Sequence, residues 1–425
     1  MSALWALADV NSMYASCEQV FRPDLQGRPV IVASNNDGSI IARNKEAKAV
    51  GIKMGVPLHQ CGDLIRQHRV TVFSSQYTLY GDMSNRIMTL FAEMAPAIEV
   101  YSIDECFLYY PSGLNQAVTH GAFMRDHIKQ CTGLGIGVGF GLSKTQAKLA
   151  NHLAKTRPET EGVFDFSSLS HLEQTEWMEQ IGIEEVWGVG RRYVERLGLM
   201  GISTVRQLRD ANLEQIKTKF GAVLARTVLE LRGISCLPLE AAAPDKQQIM
   251  CSRSFAKEVT ALPVLRSAII HHLCRAMQKL RQQESVAAGV VVMIRTNPFK
   301  PGQAQYHASM TGMLPVPSDD TLVLQAYTEQ VLNRLYRAGY AYKKAGIMLV
   351  DVRPKQIEQQ DLFAPPPTSA PKRAGLMLAM DQISRRFGAE KIKLASELYH
   401  GWEMRRERLS PRYTTRWDEL PKVSL

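Results

Sequence analysis

Two adjacent carboxylates, Asp104 and Glu105, sit inside an otherwise apolar and aromatic run, EVYSIDECFLYY. A strand carrying both into a core without a counter-charge is costly, and on a regular strand their side chains would point to opposite faces. The run is therefore expected to break into two strand halves, with a bend that lets both acids approach one place. A third acid, Asp9, ends another apolar run, ALWALA, just before a helix that begins near Asn11. Three carboxylates delivered by separate strand ends are what a two-metal phosphoryl-transfer site needs. One cation lowers the pKa of an attacking hydroxyl and the other holds the phosphates and the leaving group. The residues alone leave a plainer reading open, in which Asp9 caps the helix and Asp104-Glu105 is a solvated hairpin tip.

The chain has 425 residues, room for two to four domains at ~100–200 residues each. No apolar stretch reaches the ~18–20 residues of a membrane span. The N-terminal run has no basic residue before it and an Asp at its end, so it reads as a buried strand rather than a signal peptide. A cytoplasmic protein with no membrane partner is expected. Seven scattered cysteines, with no CxxC pair, argue for reduced buried thiols over a disulfide framework or a zinc site. The net charge of +10 is uneven. Residues 186–233 hold nine Lys/Arg against four Asp/Glu, residues 253–300 eight against two, and residues 372–425 twelve against seven. A basic balance gathered in the back half fits a polyanion-binding surface, or a solvated surface with no partner.

Patterning divides the chain further. Up to about residue 165 it reads as mixed α/β, including a hairpin of PVIVAS and SIIAR around Asn36-Asp37-Gly38. Helices are expected near 85–95, 122–131 and over SKTQAKLANHLAKT. The alternating glycines of GIGVGFG fit neither a dinucleotide nor a P-loop motif, and more simply make a close-packed strand. Short helices separated by glycines follow to about 236, then a linker. Residues 248–353 alternate strand-like and amphipathic helical runs, as in a small α+β domain. A proline-rich stretch at 354–371 and a basic, weakly patterned tail end the chain.

Five segments in order, DVNSMYASCE, NNDGSIIARNKEAK, YSIDE, GLSKTQAKLAN and VWGVGRR, resemble motifs of the Y-family translesion DNA polymerases. FRPDL, SNNDG, KMG and LSPRYTTR resemble its UmuC/MucB branch, the catalytic subunit of bacterial DNA polymerase V. The resemblance implies a multidomain α+β right hand: a mixed-sheet palm (1–30 and 81–165), small fingers (31–80), and a helical helix–hairpin–helix thumb (166–238). A linker (239–247) then leads to an α+β little finger (248–353). Residues 354–425 would be a flexible linker with a clamp-binding peptide and a basic tail. The implied activity is error-prone, template-directed addition of dNMP to a primer 3′-OH in the SOS response to DNA damage.

The same resemblance implies Asp9, Asp104 and Glu105 as catalytic ligands of two Mg2+ ions, assisted by the Val10 carbonyl. Tyr14 falls at the steric gate that excludes a ribose 2′-OH. Lys45, Lys48 and Lys148 fall at triphosphate-binding positions, although the family often has Tyr and Arg where this chain has Lys45 and Lys48. Ser39 and Ile41 match the roof over the nascent base pair. Gly188, Val189, Gly190, Arg191 and Arg192 form a hairpin suited to a DNA phosphate. Gln359, Leu362 and Phe363 resemble the pentapeptide that docks on a sliding clamp. The implied partners are primer-template DNA with dNTPs, a UmuD′-type dimer, the sliding clamp and a RecA filament. A nucleotidyl cyclase and a non-catalytic DNA-binding scaffold are the competing readings.

Overall fold

The computed structural model describes residues 3–242, 244–355, 370–388 and 391–420. It divides into two units. Met1–Ser34, Gly38–Ala243 and Glu407–Leu425 make the first, and Asn35–Asp37 with Pro244–Arg406 make the second.

The strands of the first unit are β1 (Leu4–Val10), β2 (Val30–Ala33), β3 (Ile40–Arg43), β4 (Thr71–Ser74), β5 (Ala97–Val100), β6 (Glu105–Tyr110), β7 (Ile136–Gly141) and β8 (Val163–Asp165). Its helices are α1 (Met13–Val20), α2 (Lys45–Ala49), α3 (Gly62–Gln67), α4 (Tyr77–Met94), α5 (Ala117–Thr132) and α6 (Lys144–Thr156). They continue with α7 (His171–Glu179), α8 (Arg191–Gly198), α9 (Val205–Asp210), α10 (Leu213–Phe220) and α11 (Ala222–Leu231).

Five strands form a mixed sheet in the order β5-β6-β1-β7-β8, with β1 antiparallel to both its neighbours. Alternation along β1 sorts its side chains. Leu4, Ala6, Ala8 and Val10 join the core closed by α1, α4 and α5. Trp5 and Leu7 pack instead with Phe107 and with Ala147 of α6. Asp9 has the same parity as Trp5 and Leu7, and its cross-strand partner is Glu105. Both acids therefore face α6. That helix lies close on β7 because the strand is built of glycines: a Cβ on Gly139 would stand 2.0 Å from the Asn151 nitrogen.

Residues 30–74 carry a second sheet, β3-β2-β4, with its own small core around Ile31, Ile40 and Ile52. The expected hairpin is present, but its turn differs. Asn36 and Asp37 take the left-handed φ values of 60° and 49°, whereas Gly38 does not, at φ −80°. Short Asx side chains tolerate that region, so the chain makes a 3-10 turn instead of a tight glycine turn. Helices α7–α11 gather around Leu197, Val205, Leu208 and Leu224.

The second unit holds β9 (Ile249–Val259), α12 (Leu262–Gln282), β10 (Ser285–Thr296), β11 (His307–Ser318), α13 (Thr321–Leu335), β12 (Tyr342–Pro354) and α14 (Ala370–Phe387). Its antiparallel sheet runs β11-β10-β12-β9, and α12 and α13 supply the helical side of its core.

The C-terminal stretch, expected to be a weakly patterned tail, is folded in its described part. Asp381 of α14 accepts two bonds from Arg281 of α12, at 2.6 and 2.8 Å. Glu397 pairs with His271 at 3.1 Å, and Tyr413 enters the main core of the first unit. The anchors Met377, Glu397, Ser410 and Tyr413 are each buried, but they are too irregularly spaced to give a periodic signal.

Candidate active site

The bend expected in EVYSIDECFLYY falls at residues 102–104, and β6 starts at Glu105. Ser102 holds the bend: its hydroxyl donates to Asp104 Oδ1 at 2.6 Å and accepts the Glu105 N–H at 3.0 Å. The Val10 N–H donates to the Asp104 carbonyl at 2.9 Å, tying the end of β1 to the bend. Asp9, Asp104 and Glu105 are thus gathered at one end of the sheet, which excludes a freely solvated hairpin tip. Asp9 does not cap α1 either; Ser12 precedes that helix, in the left-handed conformation with no side-chain cap. A residue held there costs ~1–2 kcal/mol.

The clustered acids have cationic partners on α6. Lys148 donates to both oxygens of Glu105, at 2.7 and 2.8 Å, and Lys155 pairs with Asp9. The two lysines are seven residues apart, about two helical turns, so they share a face. Asn151, between them, donates to the carbonyls of Leu7 and Gly137 and fixes the helix on the sheet. Burial pushes the Asp9 carboxyl up to about 6; Lys155 opposes that shift, and Glu105 and Asp104 add to it. Among the described residues no three His, Cys, Asp or Glu side chains form a ready-made metal cage. The donor set nonetheless fits hard divalent cations: three crowded carboxylates whose mutual repulsion a cation relieves.

A cleft of about 510 Å³ opens beside this end of the sheet, lined by Asn11, Ser12, Asn44, Lys45, Lys48 and Lys155. Asn44 caps α2 through the Ala47 N–H, and two of the three expected phosphate lysines, Lys45 and Lys48, line the cleft. Desolvation, then Arg43 and Lys155, lower the Lys48 pKa. Lys45 is different: its side chain is 91 % exposed, 3.9 Å from Glu46. Lys148 lies on Glu105 rather than in the cleft. Lys155 and Arg43 were not singled out in the sequence, although the seven-residue spacing from Lys148 to Lys155 is a signal that would have found Lys155.

Tyr14 projects from the first turn of α1 and stacks on Tyr80, centroids 4.4 Å apart and planes 14° apart. Its hydroxyl pKa is raised by burial, then by Tyr77 and Asp104. Ile41 packs against the same core as Tyr14, while Ser39 bridges Pro57. In the helical part, Gly188 has φ 85° and Gly190 caps α8. Arg191 and Arg192 are exposed, and Val189 is buried in the core of the helical cluster. Gln359, Leu362 and Phe363 lie outside the described residues.

Residues 8–152 match the model of the impB/mucB/samB family, and residues 246–362 match that of its C-terminal domain. Residues 374–423 match a domain of unknown function. Protein SamB of Salmonella typhimurium is 43% identical over 99% of this chain and 100% of its own length. Protein UmuC of Salmonella typhimurium strain LT2 is 41% identical over the same shares. The chain belongs to this family, the UmuC/MucB-type Y-family polymerases. A Y-family DNA polymerase chimera shares the fold, with a TM-score of 0.64 at 20% identity over 83% of this chain and 99% of its own. An insertion ternary complex of Dbh DNA polymerase does so at a TM-score of 0.56 and 19% identity, over the same shares.

Proposed function

We propose that the chain is an error-prone translesion DNA polymerase of the bacterial SOS response, adding dNMP to a primer 3′-OH as the template directs. The observation that carries this is the pairing of Asp9 with Glu105 across β1 and β6, with Asp104 tied to the same strand end. Asp9, Asp104, Glu105 and the Val10 carbonyl would hold two Mg2+ ions. When bound, such ions would supply activation of the 3′-hydroxyl and neutralisation of charge on the phosphates.

The chain's own side chains do the rest. Lys48 and Lys155 line the cleft beside Asp9 and put positive charge where a triphosphate would lie, and Lys148 stands ready on Glu105. Lys45 adds long-range charge from its exposed position. Tyr14 excludes the 2′-OH, and Ser39 and Ile41 cover the base pair. The five-stranded sheet with its helices would serve as palm and residues 31–80 as fingers. The helical cluster over 166–238 would be the thumb, gripping a DNA phosphate at residues 188–192, and residues 248–353 the little finger. We further assign a UmuD′-type dimer, a RecA filament and a sliding clamp as partners, the clamp through Gln359, Leu362 and Phe363. Family membership and the peptide's sequence support these assignments.

The test is primer extension with Mg2+ and each dNTP. Asp104→Ala should cut extension by several orders of magnitude and leave primer-template affinity nearly unchanged, since affinity comes from basic surfaces. Near-normal extension by that variant would remove the metal assignment. Cyclic nucleotide formation without template would favour the cyclase reading, and binding with no synthesis the scaffold.

A further inference from the structure

The C-terminal segment 408–413 reaches back to the helix that carries Tyr14. Arg408 and Ser74 exchange hydrogen bonds at the end of β4: the Ser74 N–H donates to the Arg408 carbonyl at 2.8 Å and the Arg408 N–H to Ser74 Oγ at 3.0 Å. Gln76, just ahead of α4, donates to the Ser410 carbonyl at 2.9 Å. Tyr413 lies flat on Phe21, centroids 4.5 Å apart and planes 11° apart. Between these anchors the Ser410 hydroxyl donates to Glu18 Oε1 at 2.9 Å, and Tyr80 of α4 donates to the same oxygen at 2.6 Å.

Glu18 has no exposed surface, and among the described residues its Oε2 has no hydrogen-bond partner. A buried carboxyl with so few partners is expensive, so the two hydroxyls on Oε1 fix where it sits. One of them belongs to Tyr80, and the Tyr80 ring is the surface on which Tyr14 lies. Ser410, Glu18, Tyr80 and Tyr14 thus form one continuous contact path from the C-terminal segment to the proposed sugar gate.

We propose that the C-terminal segment 408–413 positions the gate: Ser410, acting through Glu18 and Tyr80, sets the Tyr14 ring and so the selection of deoxyribose over ribose. This rests on reading Tyr14 as the gate. Ser410, Glu18 and Tyr80 are positioning residues, since none of them touches substrate.

The experiment measures kcat/KM for ribo- and deoxyribonucleotides in the full-length chain, within the assembly that extends primers. The variants are Ser410→Ala, Tyr80→Phe, Tyr14→Ala and the double variant Ser410→Ala with Tyr14→Ala, and melting temperatures are recorded alongside. Tyr80→Phe keeps the stacking ring and removes only the hydroxyl. We expect Ser410→Ala and Tyr80→Phe each to raise the ribo-to-deoxyribo ratio about tenfold, the scale of one lost hydrogen bond to a carboxylate. The rise should appear mainly in KM. Ser410→Thr, which keeps a hydroxyl, should restore the ratio, and Ser410→Ala should add nothing to Tyr14→Ala. If Tyr14→Ala raises the ratio while Ser410→Ala and Tyr80→Phe do not, the positioning role is overturned and the gate reading stands. Additive effects in the double variant overturn it too, as a general loosening of the fold. An unchanged ratio in Tyr14→Ala sinks the gate reading, and this proposal with it.

Discussion

Glu18 shares α1 with Tyr14, and burial pushes its carboxyl up to about 7, against the lowering effect of the Tyr80 and Ser410 hydroxyls and of Arg22. The titratable groups around it are Cys17 on its own helix, Arg22 just beyond it, and Tyr80 and Tyr413 from elements packed against it. Burial raises the Tyr80, Cys17 and Tyr413 pKa values, so none of these loses a proton near neutrality. An acid whose folded pKa lies above its unfolded value gives stability that is full below the unfolded value and is lost as pH rises through the folded one. The first unit should therefore lose stability as pH rises from about 4.5 to 7, by at most ~3 kcal/mol from this group. Glu18→Gln should make the decline shallower in denaturant melts across that range. Asp9, pushed up to about 6, contributes to wild type and variant alike. Parallel curves for the two would remove Glu18 as a titrating group. At this scale the acids themselves were legible, because a carboxylate inside an apolar run has few bland explanations. Glu18 and Lys155 were not. A charged residue on an amphipathic helix looks the same in sequence whether it meets solvent or a buried partner.

Elements carry the charge pattern further than windows of sequence do. The window 253–300 suggested a phosphate-gripping surface, but the fold uses part of that charge internally. Arg281 is bound to Asp381, Asp319 and Thr321, and Lys300 pairs with Glu258 at 2.8 Å. What the sheet presents instead is a row. His307, Arg295 and Lys344 are directly opposite one another on β11, β10 and β12, and they line one shallow pocket with Ser252 and Gly346. Neighbouring strands lie ~4.8 Å apart, so Arg295 and Lys344 set two cationic groups at a spacing that can follow a phosphate backbone. Arg295→Ala and Lys344→Ala should each weaken DNA binding about equally on all sequences and flatten the salt dependence by about one unit per lost phosphate contact. A sequence-dependent loss, or an unmoved slope, would take these residues out of the interface. Lys344 lies outside the basic window, because pairing across strands is non-local. The glycines of β7 were legible as close packing, since they alternate along one strand. The C-terminal segment was not, since its buried residues settle singly against distant partners.

At the scale of the whole molecule, the proposed functions of synthesis and recruitment fall to different stretches of chain. The acids and the basic row lie in folded units, while Gln359, Leu362 and Phe363 belong to a proline-rich stretch, QQDLFAPPPTSAP, that joins β12 to α14 in sequence. Leu362 and Phe363 have little apolar sequence around them, so a pocket on a partner is their natural burial site. Burying two such side chains contributes ~3–6 kcal/mol gross, and ordering a segment of this composition offsets much of it. The proposed docking would be a weak, reversible tether whose effect is concentration: a polymerase held beside a primer end rebinds before it diffuses away. Leu362→Ala with Phe363→Ala should therefore leave distributive extension of a short primer-template intact and abolish stimulation by a loaded clamp. Melting should not change if, as proposed, both side chains pack on a partner and not on this chain. Clamp stimulation that survives the double substitution would assign clamp contact to another surface and leave 354–369 as a connector alone.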